Sequence, residues 1–147
     1  MITPNIEEKL STVCGKLNAL QQVARIDFDV QYTPCDAACR HALPTACADW
    51  QDFSYPYYLF EQNKYYWFHA KFTVIKLQPH QKAYLCVETF IDGVSSTIRP
   101  QGLLYLNGRE ICGIDIKHTD VLLDGEGEYE MYLHFYTHVF GTGLPLY

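Results

Sequence analysis

The sequence has no block of positive charge and few charged residues of any kind. Charged side chains make up 19% of the 147 residues, and 11 basic against 17 acidic residues give a formal charge of −6. Phosphate neutralisation needs clustered Lys and Arg, so nucleic acid is not expected as a partner.

The sequence also has no stretch that resembles a membrane span or an export signal. The most apolar run, residues 65–77, is interrupted by His69, Lys71 and Lys76 and falls short of the roughly 18 apolar residues that a span needs. Residues 1–10 carry Glu7, Glu8 and Lys9 where a signal peptide needs an apolar segment. We therefore expect a cytoplasmic protein without a membrane partner.

The chain does have the composition of one ordinary globular domain. Apolar residues make up 48% of it, which is enough for a hydrophobic core. Without an export signal its six cysteines are expected to stay reduced rather than to form a disulfide framework.

The N-terminal segment, residues 1–24, is predicted to form an amphipathic helix that runs over residues 5–24. Apolar side chains recur with spacings of 4, 3, 4, 3 and 4, which places them on one face. Asn5 is a suitable N-cap, with Glu8 in the capping-box position. We call this face the apolar stripe; it consists of Ile6, Leu10, Val13, Leu17, Leu20 and Ala24. A stripe of this size must pack on something, so we expect self-association or packing on the chain's own sheet.

Residues 25–147 have the period-2 pattern of an antiparallel β-sandwich or barrel. Alternation begins at Ile26, and at least seven strands follow it. The tail, residues 140–147, is expected to expose apolar side chains that dock elsewhere. Residues 33–54 lose the periodicity and predict an irregular loop. The clearest local signal is Asn107-Gly108 between two apolar runs, which predicts a hairpin with a type I′ turn.

The loop contains a weak candidate for a metal site. Cys35, Cys39, His41 and Cys47 could together close a tetrahedral zinc site, but only one pair has the short spacing that is typical of structural zinc loops. Uncoordinated thiols are the favoured interpretation.

Three further features are candidates for chemistry. His134 and His138 share a strand face with two tyrosines, which allows a metal or sugar site but favours a polar outer face. Glu126, Glu128 and Glu130 flank a turn and are expected to be solvated. Trp67 lies opposite Phe68 and Phe72 and is the weak candidate for stacking on a sugar, although most sandwich aromatics belong to the core.

Four segments resemble the N-terminal β-sandwich of glycoside hydrolase family 38 α-mannosidases of the cytosolic and bacterial type. They lie within the stretch from Tyr66 to Tyr136, which is about half of the chain. The first and last are strands, residues 67–72 and 128–133. Between them, residues 102–108 are similar to the family's G-L-x-Y-x-N-G hairpin, and residues 113–118 to its G-x-D-x-x-H segment. The hairpin with its flanking strands also resembles galactose-binding-like jelly rolls of other glycosidases.

The resemblance implies a jelly-roll sandwich that serves as a non-catalytic domain. In the family, retaining hydrolysis of mannose-containing glycans occurs in a later domain that holds zinc, so no catalytic residue and no cofactor is expected here. The matched residues are implied to be structural: Asn107, Gly108, Gly113, Asp115 and His118.

The partner implied by the resemblance is the rest of a longer polypeptide, of which this chain would be the first part. A second copy and a mannose-containing glycan are further candidates. Two alternatives remain open: a stand-alone carbohydrate-binding module, and a structural protein-interaction module. Fold alone cannot separate them.

Overall fold

In the computed structural model, the residues described are 6–21, 24–35, 42–44, 49–53, 57–59, 63–87, 101–115, 117–137 and 144–146. They form one helix and antiparallel strands, which confirms a mainly β fold with an N-terminal helix. The elements in chain order are α1 (Ile6–Gln21), β1 (Val30–Cys35), β2 (Gln51–Phe53), β3 (Tyr57–Leu59), β4 (Lys64–Val74), β5 (Tyr84–Cys86), β6 (Gln101–Leu106), β7 (Arg109–Ile114), β8 (Asp120–Leu122), β9 (Gly127–Thr137) and β10 (Leu144–Leu146). No helix among these ranges is both long and apolar enough to cross a membrane.

The main structural unit is a six-stranded antiparallel sheet in the order β2-β1-β4-β9-β6-β7. Its centre is the pairing of β4 with β9, which runs for eleven residues from Lys64–Thr137 to Val74–Gly127. Two small sheets, β5 with β8 and β3 with β10, accompany it.

The hydrophobic core lies on one side of the main sheet, which we call the inner face. Alternate residues of β4 and β9 point to this side, as their period-2 patterns predict, and the small β5–β8 sheet adds Leu85, Val121 and Leu123. Phe135 and Leu104 are completely buried. The core residues on the two central strands are Tyr66, Phe68, Ala70, Tyr129, Met131, Leu133 and Phe135.

The predicted hairpin is confirmed. β6 and β7 pair on either side of Asn107 and Gly108, whose φ angles of 50° and 76° are those of a type I′ turn. The Asn107 side chain also ties this turn to β9, because its Oδ1 accepts a hydrogen bond from the Glu130 amide at 2.8 Å.

The first predicted strand begins later than expected. β1 starts at Val30, because its pairing with β4 extends only as far as the pair of Gln31 with His69. Ile26 lies before this pairing and is 69% exposed rather than buried. Phe28 still follows the predicted face, since its ring stacks on Phe72 at 4.6 Å.

Residues 33–54 and the tail are also more regular than predicted. β1 continues to Cys35, and β2 pairs with β1, so both ends of the expected loop belong to the sheet. In the tail, β10 pairs with β3 as a strand, where a free docking segment was expected.

Helix α1 does not bury its apolar stripe. The five stripe residues within the helix, from Ile6 to Leu20, are between 52% and 76% exposed. Packing of this stripe on the chain's own sheet, one of the two expectations, is therefore not found.

Candidate functional site

The side of the main sheet opposite the core, the outer face, is covered with aromatic rings. On β4 and β9 the rings alternate with core residues and meet across the strand pair. His69 stacks on Tyr132 at 4.5 Å, Tyr65 on His134 at 5.4 Å, and the rings of Trp67 and His134 lie 4.6 Å apart. The interpretation of this strand face as merely polar is therefore too simple: it is a half-buried aromatic surface.

A group of five side chains on this face combines aromatic and charged chemistry. We call it the Trp50 cluster: Trp50, His69, Lys71, Glu130 and Tyr132. The half-buried indole packs on His69 and Tyr132, with ring centroids 5.3 and 6.3 Å away. Both distances lie in the range of favourable aromatic pairs.

Glu130 is the polar centre of the Trp50 cluster. Its Oε1 lies 3.0 Å from Nε2 of His69 and 3.3 Å from Nζ of Lys71, and it accepts a hydrogen bond from the Tyr132 hydroxyl at 3.3 Å. The hydrogen bond with His69, followed by that with Lys71, holds the pKa of Glu130 below its ordinary value. The carboxylate therefore fixes the orientation of three neighbouring side chains.

Two tyrosines of this face, Tyr132 and Tyr105, have raised pKa values. Burial, together with the nearby Glu130 carboxylate, raises the pKa of Tyr132. Burial and the charge of Glu110 raise the pKa of Tyr105 in the same way. Both hydroxyls are thus neutral hydrogen-bonding groups at physiological pH.

The strand register aligns six of the outer-face side chains in a line that crosses all six strands. Adjacent members are register partners: Gln31 with both Asp52 and His69, Tyr132 with both His69 and Tyr105, and Tyr105 with Glu110. We call this line the transverse row; from β2 to β7 it consists of Asp52, Gln31, His69, Tyr132, Tyr105 and Glu110.

Trp67, the sequence-based candidate for sugar stacking, lies on the outer face as predicted but is only 2% exposed. Its ring is covered by neighbours that include His134 and Tyr105. Stacking of a sugar on Trp67 stays a prediction, and this burial disfavours it.

Most residues carried over from the family resemblance lie in or beside turns, whereas Gly113 lies within β7. Asp115 Oδ1 accepts hydrogen bonds from the amides of Lys117 and His118 at 2.7 and 2.9 Å and lies 3.0 Å from Nδ1 of His118. The bond from the Lys117 amide is the main reason why the pKa of Asp115 is lowered. Gly113 has no positive φ, so its backbone does not require glycine.

The other candidates contribute little to a site. Cys35 is buried at the end of β1, whereas Cys39, His41 and Cys47 lie outside the described residues. Within the ranges described, no three potential ligands form a metal-binding group. Glu126 accepts a hydrogen bond from the Leu77 amide at 2.7 Å, Glu128 is exposed, and His138 lies outside those ranges.

Sequence reasoning missed Trp50 and the transverse row. Trp50 lies in the stretch interpreted as an irregular loop, and only its position directly before β2 brings it near the outer face. The strand that follows Trp50 begins with Gln51 and Asp52, and this segment is too short for its pattern to predict a strand.

Comparison with known proteins gives no relative for this chain. No family model matches it, and no curated protein or solved structure matches it either.

Proposed function

We propose that the chain is a non-catalytic, architectural domain from the N-terminal part of a zinc-dependent α-mannosidase that acts on mannose-containing glycans. The observation that carries this proposal is the exposed apolar stripe of α1. An isolated helix of 16 residues is marginal in water, and Gly15 weakens it further. The helix therefore needs a partner, and the rest of the same polypeptide is the partner proposed.

The exposed side chains offer enough binding energy for such docking. Leu10, Val13 and Leu17 each keep more than half of their surface in contact with water. Full burial of an aliphatic side chain contributes about 1.5–3 kcal/mol, so covering the exposed half of each contributes roughly 1 kcal/mol. Five such residues suit an interface between domains.

The family-like segments support an architectural role. Asn107 and Gly108 make a hairpin turn, and Asp115 organises a second turn through backbone amides. These residues use their polar atoms for turn geometry, as the resemblance implies for a domain that holds shape rather than performs catalysis. The same proposal includes a jelly roll of the galactose-binding-like type, a cytoplasmic location and zinc in a following catalytic domain.

The first test is to sequence the gene beyond the codon for Tyr147. The proposal expects an open reading frame that continues into a long α/β segment with zinc-ligand motifs of His and Asp. A stop codon directly after Tyr147 would refute it.

The second test asks whether the apolar stripe has the proposed role in the full-length enzyme. We expect the double substitution Leu10→Asp/Leu17→Asp to lower thermal stability and turnover of an aryl α-mannoside, because both aspartates would enter an apolar interface. The control Ser11→Asp adds charge to the same helix outside the stripe and is expected to leave both unchanged. Equal thermal stability and turnover in the two variants would contradict docking through the stripe.

A further inference from the structure

We infer that the transverse row, together with Trp50, is a binding site for a neutral oligosaccharide. The inference depends on the outer face alone and would stand if the gene ended at Tyr147. It assigns sugar recognition to residues other than Trp67.

The geometry supplies an extended and accessible surface. The six members of the transverse row lie on consecutive strands, and at about 4.8 Å per strand they span roughly 24 Å. Asp52 and Glu110 at its ends are exposed, and the four members between them are half-buried. A surface of this length suits a chain of sugar rings.

The chemistry of the row suits a ligand with apolar ring faces and hydroxyl edges. Trp50, half-buried beside the row, is the aromatic side chain on which the C–H face of a pyranose would stack. Next to it, Gln31 Nε2 donates a hydrogen bond to Asp52 Oδ1 at 3.0 Å. The Gln31 amide and the Asp52 carboxylate share one hydrogen bond and keep further donor and acceptor capacity, which the hydroxyls of a sugar can use.

The charges around the row exclude the main competing ligands. Among the described residues of the row and the Trp50 cluster, Asp52, Glu110 and Glu130 outnumber the cation Lys71, so a phosphate or sulfate would be repelled. A purely apolar ligand would leave these polar groups without water, which is costly. A neutral polyhydroxylated ligand meets neither penalty.

The site is also organised before a ligand arrives. Glu130 holds His69, Lys71 and Tyr132 through contacts of 3.0 to 3.3 Å, and Trp50 packs on two of these three side chains. Side chains that are already ordered lose little conformational entropy on binding.

The test is calorimetric titration of the 147-residue chain with three neutral probes: α-mannotetraose, cellotetraose and β-1,4-galactotetraose. We expect saturable binding of at least one of them. Trp50→Ala is expected to weaken that binding about tenfold, because it removes the stacking surface. Gln31→Ala/Asp52→Ala is expected to weaken it by a similar factor through lost hydrogen bonds.

The matched control is Tyr84→Ala, which removes an aromatic side chain that is 54% exposed on the small β5–β8 sheet, away from the row. The affinity of Tyr84→Ala for the probe that binds should stay within about twofold of the wild-type value. Far-UV circular dichroism checks that each variant folds. If Trp50→Ala does not fold, the affinity of Gln31→Ala/Asp52→Ala decides the test. The inference is overturned if none of the three probes binds, or if binding is unchanged in both Trp50→Ala and Gln31→Ala/Asp52→Ala.

Discussion

Gly102 is predicted to be essential for the packing of β6 against β9. Its register partner is Phe135, which is completely buried. A Cβ added at Gly102 would lie 2.6 Å from Cε2 of Phe135 and 3.0 Å from Cδ1 of Leu133, where carbon atoms normally keep 3.5–4.0 Å. Gly102→Ala must therefore displace a ring that is completely buried.

The expected cost of Gly102→Ala is that of overpacking a core, about 1–3 kcal/mol in the free energy of unfolding. At this chain length each kcal/mol lowers the melting temperature by about 2–4 °C. Urea denaturation followed by tryptophan fluorescence gives the free energy, and thermal circular dichroism gives the melting temperature.

The control for this prediction is Gly113→Ala on the neighbouring strand. The nearest atom to its added Cβ is the Gly102 carbonyl oxygen at 3.8 Å, an ordinary contact, so no loss is expected. Phe135→Leu in the Gly102→Ala background should cost less than Phe135→Leu alone, which would show that the two sites are coupled. A Gly102→Ala variant as stable as the wild type would refute the reasoning.

Three further substitutions test other features. Gly108→Ala places a side chain at a φ of 76° and should cost about 1–2 kcal/mol, measured by urea denaturation; an unchanged midpoint would argue against the type I′ turn. Gly15→Ala should raise the helical signal at 222 nm, because alanine favours an exposed helix by about 1 kcal/mol, and a lower signal would contradict a helix there. The pKa of Glu130 is lowered in the fold, so its contribution is present above the ordinary carboxyl value of 4.5 and is lost as the pH falls through the lower folded value. Glu130→Gln should therefore flatten the acid side of the stability curve, and an identical acid profile would contradict stabilisation of the carboxylate by His69 and Lys71.

The inner face of the sheet was predictable because it depends on local alternation. In β4 and β9 every second residue is apolar over many residues, and both faces follow the predicted assignment. The hairpin at Asn107 was equally predictable, since two adjacent residues determine the turn type.

The outer-face site was not predictable, because it depends on which strands are neighbours and on their register. Gln31, His69 and Tyr105 are far apart in the chain and enter one row only through the pairing of β1, β4, β9 and β6. Sequence spacing contains no information on that order. The requirement for glycine at position 102 was unpredictable for the same reason, because it arises only from Phe135 on the partner strand.

The pairing of β4 with β9 has a consequence for how fast the chain folds. Even the pair nearest in sequence joins Val74 to Gly127, 53 positions apart, so the central ladder can start only after a long loop has closed. Loop closure costs entropy before any native contact offsets it, and proteins dominated by distant pairings fold in milliseconds to seconds. Until β9 has been synthesised, β4 has an unpaired edge along eleven residues, which makes this chain dependent on rapid completion of its C-terminal half to avoid aggregation.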